Sequence, residues 1–123
     1  MSLVSRALGP LPLLGILAAF PALRAQPKKE LPPFDGNIQK YWMDACSRCH
    51  GVNGNGRDNN GAQLPDAGFD FTDSRKANKK KDGDWVKITL NGKDKMPAFK
   101  DRLSESDVQK MITEILRKFA ARH

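Results

Sequence analysis

The clearest periodic pattern lies near the C-terminal end of the chain. Val108, Met111, Ile112, Ile115, Leu116 and Phe119 recur at i, i+3, i+4, i+7, i+8 and i+11, the apolar stripe of an amphipathic helix. Ser104, with Asp107 three residues on, reads as a capping box, and Leu103 with Val108 fits the accompanying hydrophobic staple. Arg117, Lys118 and Arg122 sit near the end where the helix dipole favours positive charge. A second helix is expected over residues 36–50. There Ile38, Tyr41, Trp42 and Ala45 keep helical spacing, and Gly51 can stop the helix in a left-handed turn. Tyr41 and Trp42 are expected in the core, packed on another helix.

Between these helices the pattern weakens. Gly51, Gly54, Gly56, Asn59, Asn60, Gly61 and Gly68 make residues 51–68 a loop. They lack the strand–helix context of a phosphate-binding fingerprint. The basic run Arg75 to Lys81 reads as a solvated face. Residues 82–92 read two ways. Val86-Lys87-Ile88-Thr89-Leu90 alternates like a strand, with Asn91-Gly92 as a hairpin signal. The same stretch can be a short helix starting near Asp82, burying Trp85 and Ile88 and stopping at Gly92.

The N-terminal pattern is of another kind. Arg6 precedes an apolar stretch from Leu11 to Phe20, and small Ala25 suits a cleavage position. Residues 1–25 are therefore expected to be a signal peptide. The stretch is shorter than the about 20 apolar residues of a membrane span, so no transmembrane segment is expected in the mature chain. An uncleaved N-terminal tether is the alternative. Residues 26–35, rich in proline and charge, read as a flexible linker. Residues 36–121 then form one small domain, with no internal repeat.

Charge adds a constraint on partners. The 123-residue chain has 21 basic and 14 acidic side chains, formally +7. Loss of Arg6 and Arg24 with the signal leaves 19 basic side chains and a charge of +5. A basic protein attracts acidic partners. An exported one rarely meets nucleic acid, so an acidic protein surface or an anionic membrane is expected instead.

The candidate chemistry is concentrated in Cys46-Ser47-Arg48-Cys49-His50, which holds both cysteines of the chain. C-x-x-C-H is the attachment pattern of a c-type haem. On a helix, Cys46, Cys49 and His50 stand at i, i+3 and i+4 and share one face. Two thioethers would fix the macrocycle against that face, and His50 would reach the iron as proximal ligand. A thioredoxin-like pair needs a β-α-β context that is missing. A structural zinc site needs four ligands, and the one further candidate is terminal His123. A plain disulfide in a haem-free basic module remains open. Export agrees with haem, since c-type haem is attached outside the bacterial cytoplasm. The carbonyl of Pro65 is a candidate to orient the other ring nitrogen of His50.

A sixth iron ligand can be sought among four methionines. Met1 leaves with the signal, Met43 is too near His50 to reach the opposite face, and Met111 belongs to the apolar stripe. Met96 lies in Gly92-Lys93-Asp94-Lys95-Met96-Pro97-Ala98-Phe99, a charged loop where a core methionine is unexpected, with Pro97 stiffening it. His123 is the alternative. His50/Met96 ligation raises the iron potential relative to histidine alone. It also fills both axial positions, which argues for an electron carrier and against an enzyme of oxygen or peroxide chemistry. Lys93, Lys95 and Lys100 flank the loop and can steer an acidic partner.

Taken in order, Cys46-x-x-Cys49-His50-Gly51, Gly92-x-x-x-Met96-Pro97-Ala98-Phe99 and the C-terminal amphipathic helix resemble a class I cytochrome c. Asp70-Phe71-Thr72-Asp73 resembles the small exported monohaem domains of bacterial respiratory chains. The likeness covers about residues 36–120. It implies an all-α fold, three to four helices wrapped around one covalently attached haem c. It also implies a helix over Asp84 to Leu90 and first and last helices that cross near the haem. Tyr41 or Trp42 would enter that crossing, with Ile115 at the C-terminal place, giving aromatic–aliphatic packing. The implied function is one-electron transfer in the periplasm between respiratory or dehydrogenase partners. The alternative is an electron-transfer subunit of a periplasmic oxidoreductase complex.

Overall fold

The computed structural model describes residues 7–16, 18–19 and 30–122. The expected cleavage site at Ala25 and terminal His123 lie outside the described residues. Leu8, Leu11, Leu13, Leu14 and Ile16 are exposed. Among the described residues no helix is long and apolar enough to cross a membrane.

Four helical segments carry the fold. Helix α1 runs over residues 38–50. Its α-helical ends, Ile38–Tyr41 and Ser47–His50, are joined by a π turn over Trp42–Cys46. Asn37 caps it, its side chain accepting from Lys40 N at 3.0 Å. Helix α2 is the single turn Ser74–Ala77, and α3 spans Asp82–Asn91. Helix α4 runs over residues 105–120, again with a π turn, Ile112–Leu116, between α-helical ends. The described residues contain two isolated bridges, Arg57 with Gln63 and Lys93 with Met96, and no named strand.

The C-terminal stripe behaves as its spacing predicts, and all six of its residues are buried. Ser104 Oγ accepts from Asp107 N at 3.1 Å, and Asp107 Oδ2 accepts from Ser104 N at 2.8 Å. Leu103 and Val108 are both buried behind this capping box.

The ambiguous segment 82–92 is helical. Trp85 and Val86 are buried while Ile88 is half-buried, so Val86 takes the inner place expected for Ile88. Packing of Trp85 on the core overrides the local β preference of Val-x-Ile-Thr. Gly92, at φ +78°, ends the helix.

Two expectations need correction. The crossing of α1 and α4 is not aromatic–aliphatic alone: Phe119 meets Trp42 there, next to Ile115. The rings of Trp42 and Phe119 lie 5.4 Å apart at 50°. Ile115 is buried beside them. Phe119 stands at i+11 on the same apolar stripe as Ile115, so the inner face of α4 carries both to α1.

The second correction concerns the linker. Residues 30–35 do not form a free arm. Leu31 and Phe34 pack on the core, Tyr41 Oη donates to the Pro32 carbonyl at 3.2 Å, and Glu30 pairs with Arg102 at 3.5 Å. Two apolar side chains among the prolines are enough to dock the segment.

Candidate functional site

The motif occupies the last turns of α1. Cys46 is half-buried, Cys49 is exposed, and both are free thiols. Burial, and then the neighbouring Cys49, pushes the Cys46 thiol up to about 12. Gly51 ends α1 at φ +77°, ψ 153°. This is a glycine-only region, not the compact left-handed turn expected. A β-carbon there would also lie 2.6 Å from the Arg57 carbonyl.

The His50 ring is half-buried between Phe71, at 5.0 Å, and Trp42, at 6.0 Å. Burial lowers its pKa, partly opposed by the hydrogen bond at its Nδ1. That bond, 3.2 Å long, goes to the Phe69 carbonyl. A carbonyl only accepts, so Nδ1 carries the proton and Nε2 keeps its lone pair. Pro65, expected in this role, is exposed one turn earlier in the loop. The reason lies in how the loop returns to α1. Gly68 N donates to Cys49 O at 2.9 Å, and Gly56 N donates to His50 O at 2.7 Å. These bonds draw residues 68–69, not Pro65, alongside the imidazole.

Gly68 is a site residue whose only signal in the sequence is that of a loop glycine. A β-carbon on it would fall 2.3 Å from His50 Cε1. Gly54 has a similar part farther out: at φ +74°, its hypothetical β-carbon would meet the Phe119 ring at 2.4 Å. Glycine at both places lets backbone lie flat on an aromatic ring.

Met96 sits in a tight hairpin. Lys93 N donates to Met96 O at 3.0 Å and Met96 N to Lys93 O at 2.9 Å. Asp94 turns it at φ +51°. A β-carbon on Gly92 would lie 2.8 Å from Met96 O. Met96 is half-buried and borders the same core as Cys46 and Phe69. Met111 is buried and Met43 is about half exposed.

Lys93, Lys95 and Lys100 are exposed as expected. They are not equivalent. Lys95 Nζ lies 2.8 Å from Asp66 Oδ1, so its charge is already partnered across to the loop that holds Phe69. That hydrogen bond, more than the bare charge, raises the Lys95 pKa.

Two free thiols and a neutral imidazole at the end of one helix, with aromatic side chains against the imidazole, fit a covalently attached haem. The donors do not fit a structural zinc site: among the described residues no group of three or more His, Cys, Asp or Glu side chains is placed to hold a metal ion.

Comparison with known proteins points the same way. The family model described as cytochrome C oxidase, cbb3-type, subunit III matches residues 35–113. Among solved structures, the chain is similar to a protein described as KustC0563 c-type cytochrome, with 26% identity and a TM-score of 0.54. The match covers 68% of this chain and 96% of that one. No curated protein matches.

Proposed function

Because the chain belongs to the cytochrome c family described as cbb3-type cytochrome c oxidase subunit III, and so binds haem c covalently, we propose that it carries single electrons through a closed His50/Met96 site outside the cytoplasm. Haem-based electron transfer follows from the family; the ligand pair, the compartment and the partners are the reading offered here. When bound, the haem supplies a one-electron couple.

The chain's own residues hold and tune that group. Cys46 and Cys49 anchor it by thioethers. The Phe69 carbonyl keeps the proton on His50 Nδ1 and so presents Nε2 to the iron. Phe71 and Trp42 pack on the imidazole and exclude water from it. The backbone pair between Lys93 and Met96 fixes the hairpin from which the Met96 thioether would serve as the iron's second protein ligand. With His50 and Met96 both holding the iron, the group would supply one-electron transfer, the role of a carrier rather than of an enzyme. Lys93 and Lys100, with Lys95 shared with Asp66, form the rim that meets an acidic redox partner. Removal of residues 1–25 would release the domain into the periplasm.

The observation that carries this reading is that Cys46 and Met96, fifty residues apart in the chain, border one apolar core. The test is coexpression with haem-attachment machinery, followed by a denaturing gel stained for haem. A haem-free band sinks the proposal. If haem is attached, the oxidised protein should show the far-red methionine-to-iron band, and Met96→Ala should abolish it.

The family description itself supports a second reading, an electron-transfer subunit of a periplasmic oxidoreductase complex. Mild-detergent purification separates the two: a stable assembly favours the subunit, a lone small protein the diffusing carrier.

A further inference from the structure

The loop that presents Met96 is held at its far end by Phe99, three residues on. Phe99 is buried, at 5% exposure. Its N donates to Thr89 O at 3.0 Å, and its carbonyl accepts from Arg102 N and Leu103 N, both at 2.8 Å. Its ring stands edge-on to Tyr41, with centroids 6.3 Å apart at 80°. Tyr41 in turn meets Phe34 edge-on, at 5.3 Å and 82°. Tyr41 Oη is held by the Pro32 carbonyl at 3.2 Å, and Glu30 reaches Arg102 just beyond Phe99.

Phe34, Tyr41 and Phe99 thus form a line of three rings from the docked N-terminal segment to the methionine loop. Tyr41 belongs to α1, the helix that ends in His50. The same helix would therefore carry one iron ligand, His50, and back the anchor of the other, Met96. A thioether is a neutral ligand with no charge to hold it on a metal. Its bond depends on the loop keeping it in place.

From this we infer that Phe34 and Tyr41 are positioning residues for Met96, and that the segment 30–35 acts as a strap that keeps the methionine loop closed. The inference rests on Met96 being the axial ligand. Without the strap, water reaches one side of Tyr41 and then Phe99, the loop loosens, and an external ligand competes with Met96. Edge-to-face pairs of this kind hold rings in fixed relation beyond their burial alone.

The test uses the full haem-loaded protein and reads the affinity of its oxidised form for imidazole, together with the far-red band. Phe34→Ala should bind imidazole about three- to tenfold more tightly and weaken the band. Phe34→Leu should restore most of the loss. Tyr41→Phe, which removes only the bond to Pro32, should give a smaller shift in the same direction. Ala77→Gly, buried in α2 against the last turn of α4, should lower stability to denaturant yet leave imidazole affinity unchanged.

Imidazole affinity equal to that of the parent in Phe34→Ala overturns the inference, as does an equal gain in Ala77→Gly. Met96→Ala separates this failure from that of the ligand assignment. If Met96→Ala changes the oxidised spectrum while Phe34→Ala is silent, only the positioning role falls. If Met96→Ala changes nothing, the ligand assignment falls and takes the positioning role with it.

Discussion

Gly68 lies flat against the imidazole of His50, so close that a β-carbon on it would sit 2.3 Å from Cε1. The contact explains why the loop can bring the Phe69 carbonyl to Nδ1. Any side chain at 68 must either lift the loop or turn the ring. Gly68→Ala is expected to lower stability by about 1–3 kcal/mol, the usual cost of overpacking a filled site. It should also reduce the yield of haem-loaded protein. Denaturant unfolding and the haem-to-protein absorbance ratio measure the two effects. A fully loaded, equally stable variant would show that the ring can move freely.

The crossing of α1 and α4 depends on Trp42 and Phe119. Phe119→Ala should cost about 3–5 kcal/mol, whereas Ile115→Val should cost about 0.5–1.5 kcal/mol. Urea midpoints of the two haem-loaded variants give the comparison. Equal losses would mean that Ile115, not Phe119, is the principal contact.

Lys95 is partnered by Asp66, while Lys93 and Lys100 have no such ion pair among the described residues. Neutralising Lys95 alone should therefore slow reduction by an acidic partner less than neutralising Lys93 or Lys100. Asp66→Asn should speed it, because it frees a positive charge beside the methionine loop. Stopped-flow rates at low salt test this, and the differences should fade as salt screens exposed charges. Rates that do not respond to any of the four changes would remove the docking role.

Asp73 caps α2, and its pKa is lowered chiefly by the hydrogen bond from Lys76 N, then by the Lys76 ammonium. A carboxylate with a depressed folded pKa adds stability above its unfolded pKa and loses it as pH falls through the folded one. Asp73→Asn keeps a capping side chain but has no charge to lose. The stability advantage of the parent over this variant should therefore be present near pH 6 and shrink below about pH 4, the ordinary carboxylate range. Thermal melts of both proteins across that range check the sign. An advantage that grows in acid would contradict it.

Much of this protein was legible along the chain, because the signals concerned are local. The stripe from Val108 to Phe119 sets α4, Ser104 and Asp107 set where it starts, and the run from Cys46 to His50 names the cofactor chemistry. Each depends on spacing within one helix, which sequence displays directly. The segment 82–92 was not decidable this way, since its β-branched residues fit either structure until Trp85 had a core to enter.

Other features come from residues that are distant in sequence and meet only in the fold. Arg117, placed by sequence at a helix end, stacks 4.2 Å over Trp85 and donates to the carbonyls of Ala77 and Lys80. Phe69, and not Pro65, supplies the carbonyl for His50, because Gly68 and Gly56 bond the loop back onto α1. Phe119 joins Ile115 at the crossing and pairs with Trp42, and Phe34 docks a segment whose composition reads as linker. A residue's own helical or loop preference carries no information about which carbonyl or ring will lie opposite it. Local spacing was enough to set α1 and α4 and to mark Cys46, Cys49, His50 and Met96 as the candidate haem residues. Close packing of the returning loop and the N-terminal segment decided what orients His50 and what backs the Met96 loop.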